Sequence, residues 1–150
     1  MKKKSTEIKA KKTKCFDFTK ASLEELVAVI RYGIPDGYHL SKCLNQKEAI
    51  ELAWKECKRR SEGDIRRMIV SFGEIQLLLT VSKLPKIEED DLLTLLTLGP
   101  EVARFAMSNI RLRRQTLSPQ FWEKVRNQLL VINPVVREDV RALLPKKSAA

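Results

Sequence analysis

From Phe16 onward, apolar residues recur at three- and four-residue intervals, the spacing that gathers them on one side of a helix. Ser22 and Glu25 have the S-x-x-E form of a capping box, and Leu23, Leu26, Val27 and Ile30 follow as an apolar stripe. Gly33 ends that helix, and Ile34-Pro35-Asp36-Gly37 reads as a turn-rich connection. Asn45 and Glu48 predict a second N-terminus. Ala49, Ile50, Ala53, Trp54 and Cys57 then share a face that runs to Lys58-Arg59-Arg60, where positive charge complements the negative end of the helix dipole. A third helix is predicted to start near Ser61 to Asp64 and to run to about Thr80, with Gly73 as its weak point.

After Lys83-Leu84-Pro85, four carboxylates (Glu88, Glu89, Asp90, Asp91) open a fourth helix, because negative charge is favourable in a first turn. Leu92, Leu93, Leu95, Leu96 and Leu98 supply its buried surface. Gly99-Pro100 breaks it and begins a fifth, with Pro100 as first residue. The sixth has Ser118 as N-cap, Pro119 at the first position, and Leu117 and Trp122 at the spacing of a hydrophobic staple. Asn133-Pro134 repeats that signal for a last helix ending at Leu144-Pro145. The pattern predicts an all-α fold: a single domain of about six or seven helices, either an irregular bundle or a short helical-repeat stack. Strands find little support. The expected divisions are a disordered basic arm over 1–14, a helical domain over 15–145 and a tail over 146–150.

A faint internal repeat runs through the second half. Asp64-Ile65-Arg66-Arg67 and Glu101-Val102-Ala103-Arg104 both open helices, 37 residues apart, and Val135-Val136-Arg137 falls 34 residues after the second. Between them Leu92-Leu93 and Phe121-Trp122 occupy partner-helix positions 29 residues apart. The phrase from Pro100-Glu101-Val102 through Ser108-Asn109, followed by Leu117-Ser118-Pro119, resembles HEAT-like and leucine-rich-variant helical repeats over about residues 64–144. The resemblance implies helix pairs stacked into a curved surface that binds protein or nucleic acid. The third copy departs from it, with Glu138 and Asp139 where an arginine and an apolar residue are expected, and the unequal spacings also suit an irregular bundle.

Composition narrows the class. Of 150 residues, 43% are hydrophobic and 32% charged, enough apolar surface for a core and too much for wholesale disorder. No run approaches the ~18 uninterrupted apolar residues of a membrane span. Three cysteines, an odd number, argue against a disulfide-stapled secreted domain. The lysine-rich start also lacks the apolar stretch of a secretory signal. An intracellular, cytoplasmic protein is expected, or a nuclear one in a eukaryotic host.

The net charge of +10 is unevenly placed. Lys2, Lys3, Lys4, Lys9, Lys11, Lys12 and Lys14 against Glu7 give the first fourteen residues +6, and Lys146 and Lys147 add +2 near the other end. The stretch from Cys15 to Pro145 has 20 basic and 18 acidic residues, so it is only +2. The arm reads as a solvated tail, as an electrostatic contact to phosphate or an acidic protein, or as a nuclear address.

Catalytic signatures are sparse. His39 is the sole histidine, which removes two-histidine sites such as H-E-x-x-H, and no nucleophile elbow, phosphate loop or dinucleotide fingerprint is present. Cys43 and His39 are four apart in a connection without an evident orienting group. Cys15, His39, Cys43 and Cys57 form a four-ligand zinc set on paper but lack a C-x₂₋₄-C pair, and Cys57 extends an apolar row. The carboxylates from Glu88 to Asp91 point in different directions on a helix and so do not converge on a cation. Leu92 to Asn109 has the outline of a helix-turn-helix, with Arg104, Ser108, Asn109, Arg111, Arg113 and Arg114 toward DNA, although bulky Leu95 sits close to the turn.

These readings predict a non-enzymatic helical adaptor or accessory protein acting by protein–protein recognition, with no catalytic residue, metal or cofactor. The alternative is a nucleic-acid-binding accessory or regulatory protein. Its candidate contacts to nucleic acid or an acidic partner are the seven arm lysines with Lys58, Arg59, Arg60, Arg66, Arg67, Arg104, Arg111, Arg113 and Arg114; Lys55 extends the first body cluster. A protein partner is expected first, nucleic acid second, and a membrane not at all. Trp54 and Trp122 are expected to be core anchors.

Overall fold

The computed structural model describes residues 14–40, 44–68 and 73–146. Helices dominate: α1 (Leu23–Tyr32), α2 (Gln46–Arg60), α3 (Glu74–Val81), α4 (Glu89–Leu96), α5 (Pro100–Leu112), α6 (Pro119–Asn127) and α7 (Pro134–Leu143), with a 3₁₀ turn at Leu129–Val131. Two strands of two residues each, β1 (Lys14–Cys15) and β2 (Tyr38–His39), pair in parallel, a feature too short to leave a period-2 pattern in the sequence. Lys14, the last residue of the expected arm, therefore belongs to a strand, with its N–H on Gly37 O at 3.0 Å.

The helix starts follow the local chemistry. In α1 the Glu25 N–H donates to Ser22 Oγ (3.1 Å), and the Ser22 N–H donates back to Glu25 Oε1 (2.9 Å). Asn45 and Glu48 make the same reciprocal pair at α2. Each satisfies donors that a helix N-terminus would otherwise leave without partners. Pro100, Pro119 and Pro134 each stand at the first turn of their helices, where the missing N–H costs nothing. Gly33 ends α1 at φ +96°, a conformation that a side chain would oppose, and its N–H reaches Val29 O at 2.9 Å.

The predicted third helix is not continuous. Ser61 to Ile65 form turns, residues 66–68 are helical, and Gly73 adopts φ +83° immediately before α3 begins at Glu74. A residue in the left-handed region cannot propagate a right-handed helix. The weak point is thus a break.

The chain divides into two compact units, and the division passes through α3. In the first (described residues up to Asp64, with Leu79–Pro85), α1 packs on α2 through Leu26, Val29, Ile30, Ala49, Ala53, Trp54 and Cys57, all buried. Phe16 is buried beside them, its ring edge-on to Phe18 and Tyr38 at 4.9 and 5.5 Å. In the second unit (Ile65–Leu78 and Lys86 onward), α4 packs on α5, α4 on α6, and α5 on α7. In this unit α5 therefore touches both α4 and α7, and α4 also touches α6.

Buried positions recur at the offsets of the internal repeat. Leu92, Leu93 and Leu96 match Phe121, Trp122 and Val125 at the 29-residue offset. Val102 and Ala106 match Val136 and Val140 at 34. Asn133 ties the start of α7 to the end of α4: its N–H donates to Leu96 O (2.9 Å), Nδ2 donates to Leu98 O (2.8 Å), and Oδ1 accepts the Val135 N–H (3.0 Å). One residue thereby caps α7 with its side chain and, with backbone and side chain together, satisfies carbonyls left over at the end of α4.

Candidate functional site

Within the second unit, α5 and α7 leave a groove lined by Arg104, Met107, Ser108, Arg111, Val135, Val136 and Asp139. The reason lies in helical spacing. Val102, Ala103, Ala106, Met107 and Ile110 turn one face of α5 into the core, so Arg104, Ser108 and Arg111 come out together beside it. On α7 the buried face is Val136 and Val140, and Val135 and Asp139, four apart, form the opposing rim. Met107 and Val136 are buried at the floor, whereas Val135 keeps 41% of its surface exposed.

The charges in the groove are exposed and weakly engaged. Arg104 Nη1 lies 3.3 Å from Glu101 Oε1, and Arg111 Nη2 lies 3.5 Å from Asp139 Oδ2. Each of the four side chains is more than half accessible, so solvent screens both pairs and each contributes at most about 1 kcal/mol. The Ser108 hydroxyl donates to Arg104 O at 3.1 Å.

A second cleft of the same unit is lined by Lys86, Glu88, Glu89, Asp90, Arg113, Thr116 and Lys124. Its three basic groups face three carboxylates. Lys124 Nζ meets Asp90 Oδ1 at 2.9 Å, Arg113 Nη1 donates to Ile87 O, and Glu89 accepts from Ser118. The Ser118 hydroxyl and N–H, together with the Arg113 charge, hold the Glu89 carboxyl below its ordinary value against the opposing effects of desolvation and Asp90. Instead of gathering around a cation, the acidic start of α4 ties this helix to its neighbours.

The basic candidates thus fall in separate places. Arg104 and Arg111 share the α5/α7 groove, and Arg113 turns to the other cleft. Arg114 is exposed just past α5, and Asn109 folds back, Nδ2 donating to Phe105 O at 3.2 Å. In the first unit Arg59 and Arg60 converge on Glu56: Arg59 Nη2 and Nε reach its carboxylate at 2.6 and 3.0 Å, and Arg60 Nε at 3.1 Å. Arg60 Nη2 also donates to Phe18 O and Thr19 O, at 3.2 and 3.0 Å. These bonds, chiefly Arg59's, pull the Glu56 carboxyl down to about 2 despite its burial. Of these two candidate partner contacts, Arg60 therefore also holds the Phe18–Thr19 turn to α2, whereas Arg59 is bonded to Glu56 within the helix. Lys55, Arg66 and Arg67 are exposed and Lys58 half-buried. Lys2, Lys3, Lys4, Lys9, Lys11, Lys12, Cys43 and Lys147 lie outside the described residues.

The thiols separate by environment. Cys57 is fully buried, and desolvation pushes it up to about 12. Cys15 is exposed and pairs in register with His39 across β1 and β2. Among the described residues no group of three or more His, Cys, Asp or Glu side chains is placed to hold a metal ion, and no helix is long and apolar enough to cross a membrane. Trp54 and Trp122 are both buried.

Sequence reasoning did not find Val135 and Asp139 as groove residues. The 34-residue offset did not contain the signal: it matches Val135 and Asp139 to Glu101 and Phe105, neither of which lines the groove. Glu56 was also missed, since a carboxylate three and four residues before two arginines reads as an ordinary surface pair. No family model, curated protein or solved structure matches this chain.

Proposed function

We propose that the chain is a non-enzymatic adaptor or accessory protein that recognises a protein partner through the α5/α7 face of its second unit. The carrying observation is the groove itself, a buried aliphatic floor with the half-open Val135 at its edge and separated charges around it. Apolar contact rimmed by polar groups is the composition of a protein-recognition patch. Leu112 and Leu130 of the same unit are 87% and 85% exposed, further apolar surface facing solvent. The body's basic groups are spread over several places and several are matched by carboxylates, which favours protein over phosphate.

The test is a pull-down from native lysate with the full chain and with Val135→Asp, each with and without nuclease. Retention of a partner by the full chain under nuclease, and its loss in Val135→Asp at unchanged helical content, is the expected result. Loss of the partner on nuclease treatment alone reverses the reading. The second reading, nucleic-acid binding, draws on the +6 carried by the first fourteen residues. It expects salt-sensitive polyanion binding that disappears when the seven lysines are replaced by glutamine.

A further inference from the structure

We draw no further inference here: the strongest candidate, the cleft of the first unit lined by Lys14, Lys20 and Tyr38, also holds the Asp17 and Glu25 carboxylates, so its charges balance and nothing in the structure shows what covers it.

Discussion

Ser118 presents its hydroxyl and its backbone N–H to the two carboxylate oxygens of Glu89, at 2.6 and 2.9 Å, across 29 residues of chain. The same hydroxyl oxygen accepts the Phe121 N–H at 3.1 Å, so one side chain caps α6 and fastens it to the start of α4. Capping alone is worth about 1 kcal/mol, and an acceptor left without its donor adds to the loss. Ser118→Ala should therefore lower unfolding free energy by about 1–3 kcal/mol, measured by urea denaturation. Ser118→Thr, which keeps the hydroxyl, should recover most of it. Equal losses in both variants would show that the hydroxyl is not the operative group.

This contact also marks how far the sequence could be read. Ser118-Pro119 and Asn133-Pro134 announce helix starts because capping is local, set by residues within one turn of each other. Glu89 and Leu98 as the distant partners of those caps depend on how α4 packs with α6 and α7, which no local pattern encodes. The recurrence of buried positions was partly legible, at the 29- and 34-residue offsets. The groove was legible only in half. Arg104 and Arg111 declare themselves by charge, whereas Val135 is one more aliphatic residue until α7 turns it outward. The Glu56 partnership of Arg59 and Arg60 was not legible, because a basic helix end looks alike whether it faces solvent or closes on a buried carboxylate.

Glu56 gives the protein an acid-sensitive component. Its folded value, about 2, lies below the ordinary 4.5, so the folded state binds its proton more weakly than the unfolded state. The resulting stabilisation is fully present above the unfolded value and is lost as pH falls from about 4.5 toward 2. Glu56→Gln should lower stability at neutral pH and make the decline over that window shallower. Thermal melts between neutral pH and pH 3 read both effects. A parallel decline in the two proteins would mean that other carboxylates govern acid unfolding.

Cys57 should resist thiol reagents under native conditions. It is buried without exposure, and the reactive thiolate is scarce for a group pushed up to about 12. Cys15 is exposed and should alkylate readily at mildly alkaline pH. Peptide mass mapping after brief iodoacetamide treatment should find Cys15 modified and Cys57 intact, with Cys57 reacting once denaturant is added. Equal labelling of the two in native protein would show that α2 opens on the timescale of the reaction.

Trp54 and Trp122 each anchor the core of a different unit. Alanine in place of either should cost about 3–5 kcal/mol. If the two units unfold together, both variants shift one common transition. If they unfold separately, each variant moves only its own, and near-ultraviolet circular dichroism of the remaining tryptophan, which reports the other unit, keeps its original midpoint. An alanine variant with an unchanged transition would remove that residue from the core.

Gly73 separates the continuous helix expected from sequence from the broken path in the structure by the sign of one substitution. Inside a helix, glycine is worse than alanine by about 1 kcal/mol, so Gly73→Ala would stabilise a continuous helix by that amount. At φ +83°, alanine is opposed by its own backbone, with a penalty of roughly 1–2 kcal/mol, and this must outweigh the smaller gain from restricting the unfolded chain. The site offers no steric complication, since a Cβ at Gly73 would meet nothing within 4 Å, whereas one at Gly99 would run into the Glu74 carboxylate. Gly73→Ala is therefore expected to destabilise, with a lower midpoint in urea and no gain in helical circular dichroism. A raised midpoint with added helical signal would restore the unbroken helix through to Thr80 and refute the break at this glycine.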